Sequence, residues 1–244
     1  MSIPKLVIFD CDGILVDTEN LANRRLAEWF VAAGYPTTFE YCRKYFSGRS
    51  MASVQKEIEE TTTVRLGADF VDRWNAGLPD LFAHGVEAIP YVRDFIEAVN
   101  AGLPDLFAHG VEAIPYVRDF IEAVRAAGIP YCVATSARIS KMHITLGQTG
   151  LLPLFEHGMF SSTMVSRGKP FPDLFLHAAK TMGFAPADCI VIEDSVAGTQ
   201  AGIAAGMRVY SYHGDPYSDR DGLAGAGGVL FDDMRELAGL VPIH

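Results

Sequence analysis

Asp10 and Asp12 stand one residue apart, directly after the apolar run Leu6-Val7-Ile8-Phe9. Such a run reads as a short buried strand, and side chains at i and i+2 of an extended chain point the same way. Both carboxylates then face one crevice past the strand end, where open α/β sheets bind ligands. Two acids so close repel each other unless a cation sits between them or one keeps its proton. The pair therefore suggests a divalent metal, a nucleophile and an acid/base. Three other clusters carry chemistry-bearing groups: Thr135-Ser136 after the apolar Tyr131–Ala134, Lys169 in Gly168-Lys169-Pro170-Phe171-Pro172, and Glu193-Asp194-Ser195 after Ile190–Ile192. Alone, each has a plain reading: a helix N-cap, a surface lysine and an acidic helix start. Together they supply hydroxyls and backbone N–H groups for phosphate oxygens, a cation and further metal-binding acids.

The elements that must position these groups follow from hydrophobic patterning. Strands are expected at Leu6–Phe9, Tyr131–Ala134, Met159–Ser161, Ile190–Ile192, Arg208–Tyr212 and Gly228–Phe231, separated by helical patterns such as Asp173–Met182 and Val196–Ala205. Alternating strands and helices predict an α/β fold, a doubly wound parallel sheet covered on both faces. The stretch after the first strand breaks this rhythm, with helical patterns at Asn20–Ala33, Phe39–Phe46, Met51–Glu60 and Ala68–Trp74. It reads as an inserted α-helical cap over residues 17–84, joined by two linkers to an α/β core formed by 1–16 and 110–244.

Residues Asn75–Val99 and Asn100–Val124 are identical, letter for letter. Stacked repeat folds need about three or more copies, so a single doubling reads as an in-frame tandem duplication. Asn75–Ala83 is expected to continue the cap, and the stripe Tyr116, Val117, Phe120, Ile121 and Val124 to cover the sheet. The surplus is then roughly 85–109, at the second core–cap linker. Its own stripe of Tyr91, Val92, Phe95, Ile96 and Val99 lacks the surface it was shaped for, and such patches tend to find partners. A homodimer promoted by this segment is one expectation; a locally repacked insertion without a new role is the other.

In this order the motifs resemble the haloacid dehalogenase superfamily of phosphotransferases. The match rests on Phe9-Asp10-Cys11-Asp12-Gly13-Ile14-Leu15-Val16-Asp17-Thr18-Glu19, Ala134-Thr135-Ser136, Arg167-Gly168-Lys169-Pro170 and Ile192-Glu193-Asp194-Ser195-Val196-Ala197-Gly198. It is most similar to the helical-cap branch that holds β-phosphoglucomutase and small sugar-phosphate phosphatases; Arg167–Met207 looks most like 6-phosphogluconate-type phosphatases. The resemblance implies a Rossmann-like core and an enzyme that hydrolyses a small phosphorylated metabolite. It makes Asp10 the nucleophile and Asp12 the general acid/base. Mg²⁺ would be held by the Asp10 carboxylate, the Asp12 carbonyl and Asp194, with Glu193 acting through water, a donor set that suits a hard cation. Thr135, Lys169 and the backbone of Cys11, Asp12 and Ser136 would hold phosphate oxygens. In the cap, Arg49 and Glu19 are the expected substrate-facing residues; Arg24, Arg25 and Lys44 also could reach an anion.

Asp12 argues against dehalogenation, since a leaving halide needs no proton. Ala22 stands where mutase-like relatives carry a histidine, which weakens the mutase alternative; Lys44 and Lys56 keep a Schiff-base phosphonatase open. Receiver domains combine similar residues but carry their acceptor aspartate on a later strand, without a cap. A non-catalytic relative finds support only in the duplication.

Composition bounds the partners. With 20 basic and 30 acidic residues the net charge is −10, which argues against nucleic acid or an anionic membrane as the main partner. Hydrophobic residues make up 49% of the chain, enough for a sizeable core. Cys11, Cys42, Cys132 and Cys189 lack zinc-site spacing. Together with a start that has no long apolar signal region, they fit a reducing cytoplasm.

Overall fold

The computed structural model describes residues 3–84 and 111–243. Six strands form one all-parallel sheet: β1 (Leu6–Phe9), β4 (Tyr131–Thr135), β5 (Met159–Ser161), β6 (Cys189–Glu193), β7 (Arg208–Tyr212) and β8 (Val229–Phe231). Their order is β5-β4-β1-β6-β7-β8. The winding moves outward from β1 through β4 to β5, then returns to its other side at β6. The crevice at the carboxyl ends of β1, β4 and β6 is therefore the topological switch point of an α/β sheet, the place such folds bind ligands.

β1 shows why the sheet must be covered twice. All four of its residues are fully buried, and they alternate between two cores. Val7 and Phe9 join one cluster, where Phe9 meets Phe120 at 6.0 Å and Phe155 at 5.8 Å between ring centroids. Leu6 and Ile8 join the other, with Phe175 and Ala178. The first face is covered by α5 (Val117–Ala126), α6 (Ile139–Gln148) and α7 (Leu152–Phe155), the second by α8 (Asp173–Met182) and α9 (Val196–Ala204). The short α10 (Arg220–Gly225) packs beside β8, and α11 (Leu237–Leu240) packs against α5. Strands buried on both faces read as unbroken apolar runs, which is what made them visible in the sequence.

Among the described residues, four helices fall between β1 and Glu112: α1 (Glu19–Ala32), α2 (Phe39–Phe46), α3 (Met51–Thr61) and α4 (Phe70–His84). An aromatic cluster knits them. Phe30 stacks on Phe70 at 5.8 Å and meets Phe46 edge-on at 5.6 Å, while Trp29 meets Trp74 at 5.7 Å. The chain enters these helices through β2 (Val16–Asp17) and leaves through β3 (Glu112–Ala113), which pair antiparallel. Two-residue strands carry no periodicity, so this ribbon leaves no pattern in the sequence.

The first repeat copy begins inside α4, which runs past Trp74 to His84 with Leu78, Leu81 and Phe82 buried. In the second copy Val117, Phe120, Ile121 and Val124 face the core, while Tyr116 stays exposed. Gln148 on α6 spans both sides: its Nε2 donates to the Phe82 carbonyl and its Oε1 accepts from the Val111 N–H, each at 3.4 Å. The expected surplus stretch, 85–109, and the stripe from Tyr91 to Val99 lie outside the described residues. No described helix is long and apolar enough to cross a membrane.

Candidate active site

Asp10 sits one residue beyond β1, buried, its N–H donating to the Ile192 carbonyl of β6 at 2.9 Å. Lys169 reaches it from the loop before α8. The Lys169 Nζ lies 2.7 Å from Asp10 Oδ1 and 2.5 Å from Glu193 Oε1, and all three side chains are essentially closed to solvent. Glu193 Oε2 accepts from the N–H groups of Asp194 and Ser195 at 2.9 and 2.7 Å and from the Ser195 hydroxyl at 2.8 Å. A buried lysine is tolerated only when its charge is matched and its donors are used, and this one sits between two carboxylates. Burial works against its ammonium, but Asp10 and Glu193 outweigh that and hold its pKa above the ordinary lysine value. Burial pushes the Asp10 carboxyl up to about 7, with Lys169 opposing and the charges of Glu193 and Asp12 adding to the rise.

Asp194 holds the second unusual carboxyl. Burial, then the charges of Glu193, Glu19 and Asp10, raise it well above the carboxylate range. Its Oδ1 is buried with no hydrogen-bond partner among the described residues. Oxygens of Asp10, Glu193 and Asp194 all come within 4.8 Å of one another. An unpartnered buried oxygen beside two further carboxylates calls for a proton or a cation to complete it. All-oxygen donors of this kind suit Mg²⁺, so the residues present fit the metal that the motifs imply.

Two glycines make room for the cluster. Gly13 takes φ +79°, and a Cβ there would stand 2.1 Å from Asp194 Oδ2. A Cβ at Gly198 would stand 1.7 Å from Glu193 Oε1. Gly202, by contrast, lets α9 approach Val209 and Val191 of the sheet. The Gly13→Ala variant should lose about 1–3 kcal/mol of stability from backbone strain alone. It should also bind Mg²⁺ more weakly, as judged by the melting-temperature gain on adding the ion.

Asp12 lies apart from this cluster. Its Oδ1 takes a hydrogen bond from the Thr18 hydroxyl and an ion pair from Lys141 Nζ at 2.7 Å. Asp10 and Asp12 both open on a cavity of about 370 Å³, which Thr135, Ser136, Arg49 and Glu19 also line. Thr135, at the end of β4, is buried, and its Oγ1 accepts from the Ala137 N–H at 3.1 Å. The Ser136 hydroxyl donates to the Gly48 carbonyl at 2.9 Å, joining the core to the loop after α2. At Gly48 φ is +72° and a Cβ would stand 2.2 Å from Ser195 Oγ. Cys11 is buried, and burial first of all raises its thiol pKa well above normal. Asp194 opens on a second cavity of about 360 Å³, with Arg43 and Ser195. The carboxylate cluster thus stands between two cavities.

On the helical side, two of the expected residues line the first cavity and three do not. Arg49 lines the first cavity, but its guanidinium is engaged by Glu57 at 2.5 Å and Ser53 at 3.2 Å. Glu19 lines it too, held by Arg43 and Asn23 at 2.8 Å each. Arg24 lies over the Phe39 ring, Arg25 pairs with Glu28 and Lys44 lies over Tyr45, and none of the three lines the first cavity. The residues that sequence reasoning missed are Thr18, Arg43 and Lys141. Arg43 is buried between Glu19 and, at 2.9 Å, Asp215 of the loop after β7. For Lys141 a signal existed: it stands in the first turn of a helix, where the macrodipole disfavours a cation.

A parallel α/β sheet with acids, a hydroxyl and a lysine gathered at its switch point is the arrangement of a phosphoryl-handling hydrolase. The sequence pattern of the haloacid dehalogenase-like hydrolases matches residues 4–206, and the chain belongs to that family. It is 31% identical to 6-phosphogluconate phosphatase of Escherichia coli (strain K12) over 219 residues, covering 89% of this chain and 86% of that protein. A haloacid dehalogenase-like protein of unknown function from Agrobacterium tumefaciens superposes with a TM-score of 0.70 at 27% identity, covering 97% of each chain. CbbY from Rhodobacter sphaeroides, solved with phosphate, gives a TM-score of 0.72 at 21% identity over 96% of each chain, and so shares the fold.

Proposed function

We propose that this hydrolase is a Mg²⁺-dependent phosphatase of a small phosphorylated metabolite, a sugar phosphate or a similar phosphomonoester. The observation that carries the reading is that Asp10 and Asp12 open on one cavity while Lys169 holds the Asp10 oxygen from behind. An Asp10 oxygen attacks phosphorus as the ester P–O bond breaks, and Asp12 gives its proton to the leaving alkoxide. Asp12 then takes a proton from a water that attacks the aspartyl-phosphate. The P–O bond to Asp10 breaks, phosphate leaves and the carboxylate is restored. Thr135, Lys169 and the backbone of Cys11, Asp12 and Ser136 hold the phosphoryl oxygens as charge spreads over them. Mg²⁺, held by Asp10, the Asp12 carbonyl and Asp194, with Glu193 behind, would neutralise charge shared between Asp10 and the phosphate.

Residues 17–84 are read as a cap that closes over the cavity, and its size suits a small metabolite. The 6-phosphogluconate phosphatase relative makes phosphorylated sugar acids and polyols the first substrates to try. Ala22, which lines the cavity, carries no proton, and that favours hydrolysis over the mutase alternative. A panel of phosphometabolites with and without Mg²⁺ tests the class: phosphate release that needs the ion supports it, and release unaffected by a chelator sinks it.

Metal binding should depend on pH in a definite sense. Asp10, at about 7, and Asp194 are raised when no metal is bound, so the folded chain holds protons that the unfolded chain gives up lower. That contribution favours folding at low pH and is lost as pH rises through about 7. Mg²⁺ competes with those protons. The melting-temperature gain from Mg²⁺ should therefore be larger at about pH 8 than at about pH 6.

The doubled segment is read as a surplus in the second hinge. Because the copies are identical, deleting either gives the same single-copy chain. That chain should keep Mg²⁺-dependent phosphate release while its substrate range, closure rate or assembly changes. Equal activity across the panel together with equal sedimentation would refute a role for the segment.

A further inference from the structure

Lys141 is the third residue of α6 and the one cation that the described structure sets against Asp12. Its position needs a cause, because the N-terminal turn of a helix repels positive charge. The pair is 2.7 Å long, with side-chain exposures of 13% for Lys141 and 12% for Asp12. Burial disfavours the ammonium, and Asp12 outweighs that. The same Nζ lies 5.3 Å from the ring centroid of Phe82, which is fully buried near the end of α4. The lysine thus stands where the inserted helices meet the core. Both Lys141 and Thr18 bind Oδ1 of Asp12. No protein donor among the described residues reaches Oδ2, on a side chain that lines the cavity.

We propose that Lys141 is a positioning residue for Asp12: it fixes the carboxylate through Oδ1, so that Oδ2 is left to take the proton from the attacking water in the second half-reaction. The inference rests on the reading of Asp12 as acid/base. A purely structural ion pair would serve as well between any two elements; this one holds the orientation of a single carboxylate at the cavity wall. Loss of that orientation slows hydrolysis of the aspartyl-phosphate more than its formation, provided that the leaving group needs no proton.

The test compares Lys141→Met, which keeps the stem against Phe82, with Lys141→Arg, which keeps the charge, using p-nitrophenyl phosphate. In Lys141→Met kcat should fall about 10–100-fold, part of the range that general acid–base help covers. At the same time kcat/KM should change less than about threefold, since it reports formation of the phosphoenzyme. Rapid mixing should then show a burst of about one nitrophenol per active site, and Lys141→Arg should recover most of kcat. An equal fall in kcat and kcat/KM, or no change in either, would overturn the proposal. Asp12→Asn run in parallel separates the two readings. If it slows turnover while Lys141→Met does not, only the lysine's role fails. If neither matters, the acid/base reading fails too.

Discussion

Asp10→Asn should lower phosphate release on the order of 10⁴-fold or more, the scale seen when a nucleophile is removed. Asparagine has nearly the same shape, and its amide is far too weak a nucleophile to take a phosphoryl group. The fold should survive. Asp10 shares Lys169 with Glu193, so the lysine keeps one carboxylate at 2.5 Å, and the asparagine carbonyl still accepts a hydrogen bond. Removing one of three crowded acids also relieves repulsion, since Glu193 and Asp12 both push the Asp10 pKa upward. A phosphate assay beside circular dichroism checks both halves. A folded variant that still releases phosphate at more than about a hundredth of the parent rate would be incompatible with covalent catalysis on this residue.

Lys169→Met should be worse for the fold than Asp10→Asn, and also inactive. The substitution leaves Asp10 and Glu193 facing each other without their cation, in a region closed to water. Breaking a buried ion pair by removing one partner costs about 3–5 kcal/mol. The loss should depend on pH. Without the ammonium, which lowers the Asp10 pKa, the carboxyl is raised further still. A raised acid favours the folded chain at low pH and loses that contribution as pH rises. The gap between variant and parent melting temperatures should therefore widen from about pH 5 to about pH 8. Mg²⁺ should close part of it at the higher pH. A gap that narrowed with rising pH would mean that Lys169 is not the counter-charge to these acids.

The contrast between core and inserted helices shows what a sequence can carry. Leu6–Phe9, Tyr131–Ala134 and Ile190–Ile192 were legible because burial on both faces leaves unbroken apolar runs, and the chemistry sits at their ends. Asp10, Thr135 and Glu193 follow from that geometry, because strand order decides which ends converge. Lys169 comes from a loop, and only its fit with the other motifs singled it out. Among the helices, periodicity gave the elements but not the partners. Arg49 and Arg43 lie in adjoining stretches of the same sequence; one is engaged by Glu57, the other is buried between Glu19 and Asp215. Charge alone does not say which. α4 ran ten residues beyond Trp74 because Leu78, Leu81 and Phe82 found apolar neighbours, despite Gly77 and Pro79 within the run. The place of Lys141 in the first turn of a helix marks it as unusual, but its partner, Asp12, is too far away in sequence to be read from it.

Phosphorus should be bonded for a time to Asp10, and that bond can be trapped without waiting for turnover. Asp12→Asn cannot activate water, and p-nitrophenyl phosphate needs no proton to leave. Mixing the two with Mg²⁺, quenching in acid and reducing with borohydride should convert the acyl-phosphate at Asp10 to homoserine, seen by peptide mass spectrometry. The change is expected at Asp10 alone. Nitrophenol release with Asp10 unmodified, or with the label on another residue, would contradict it.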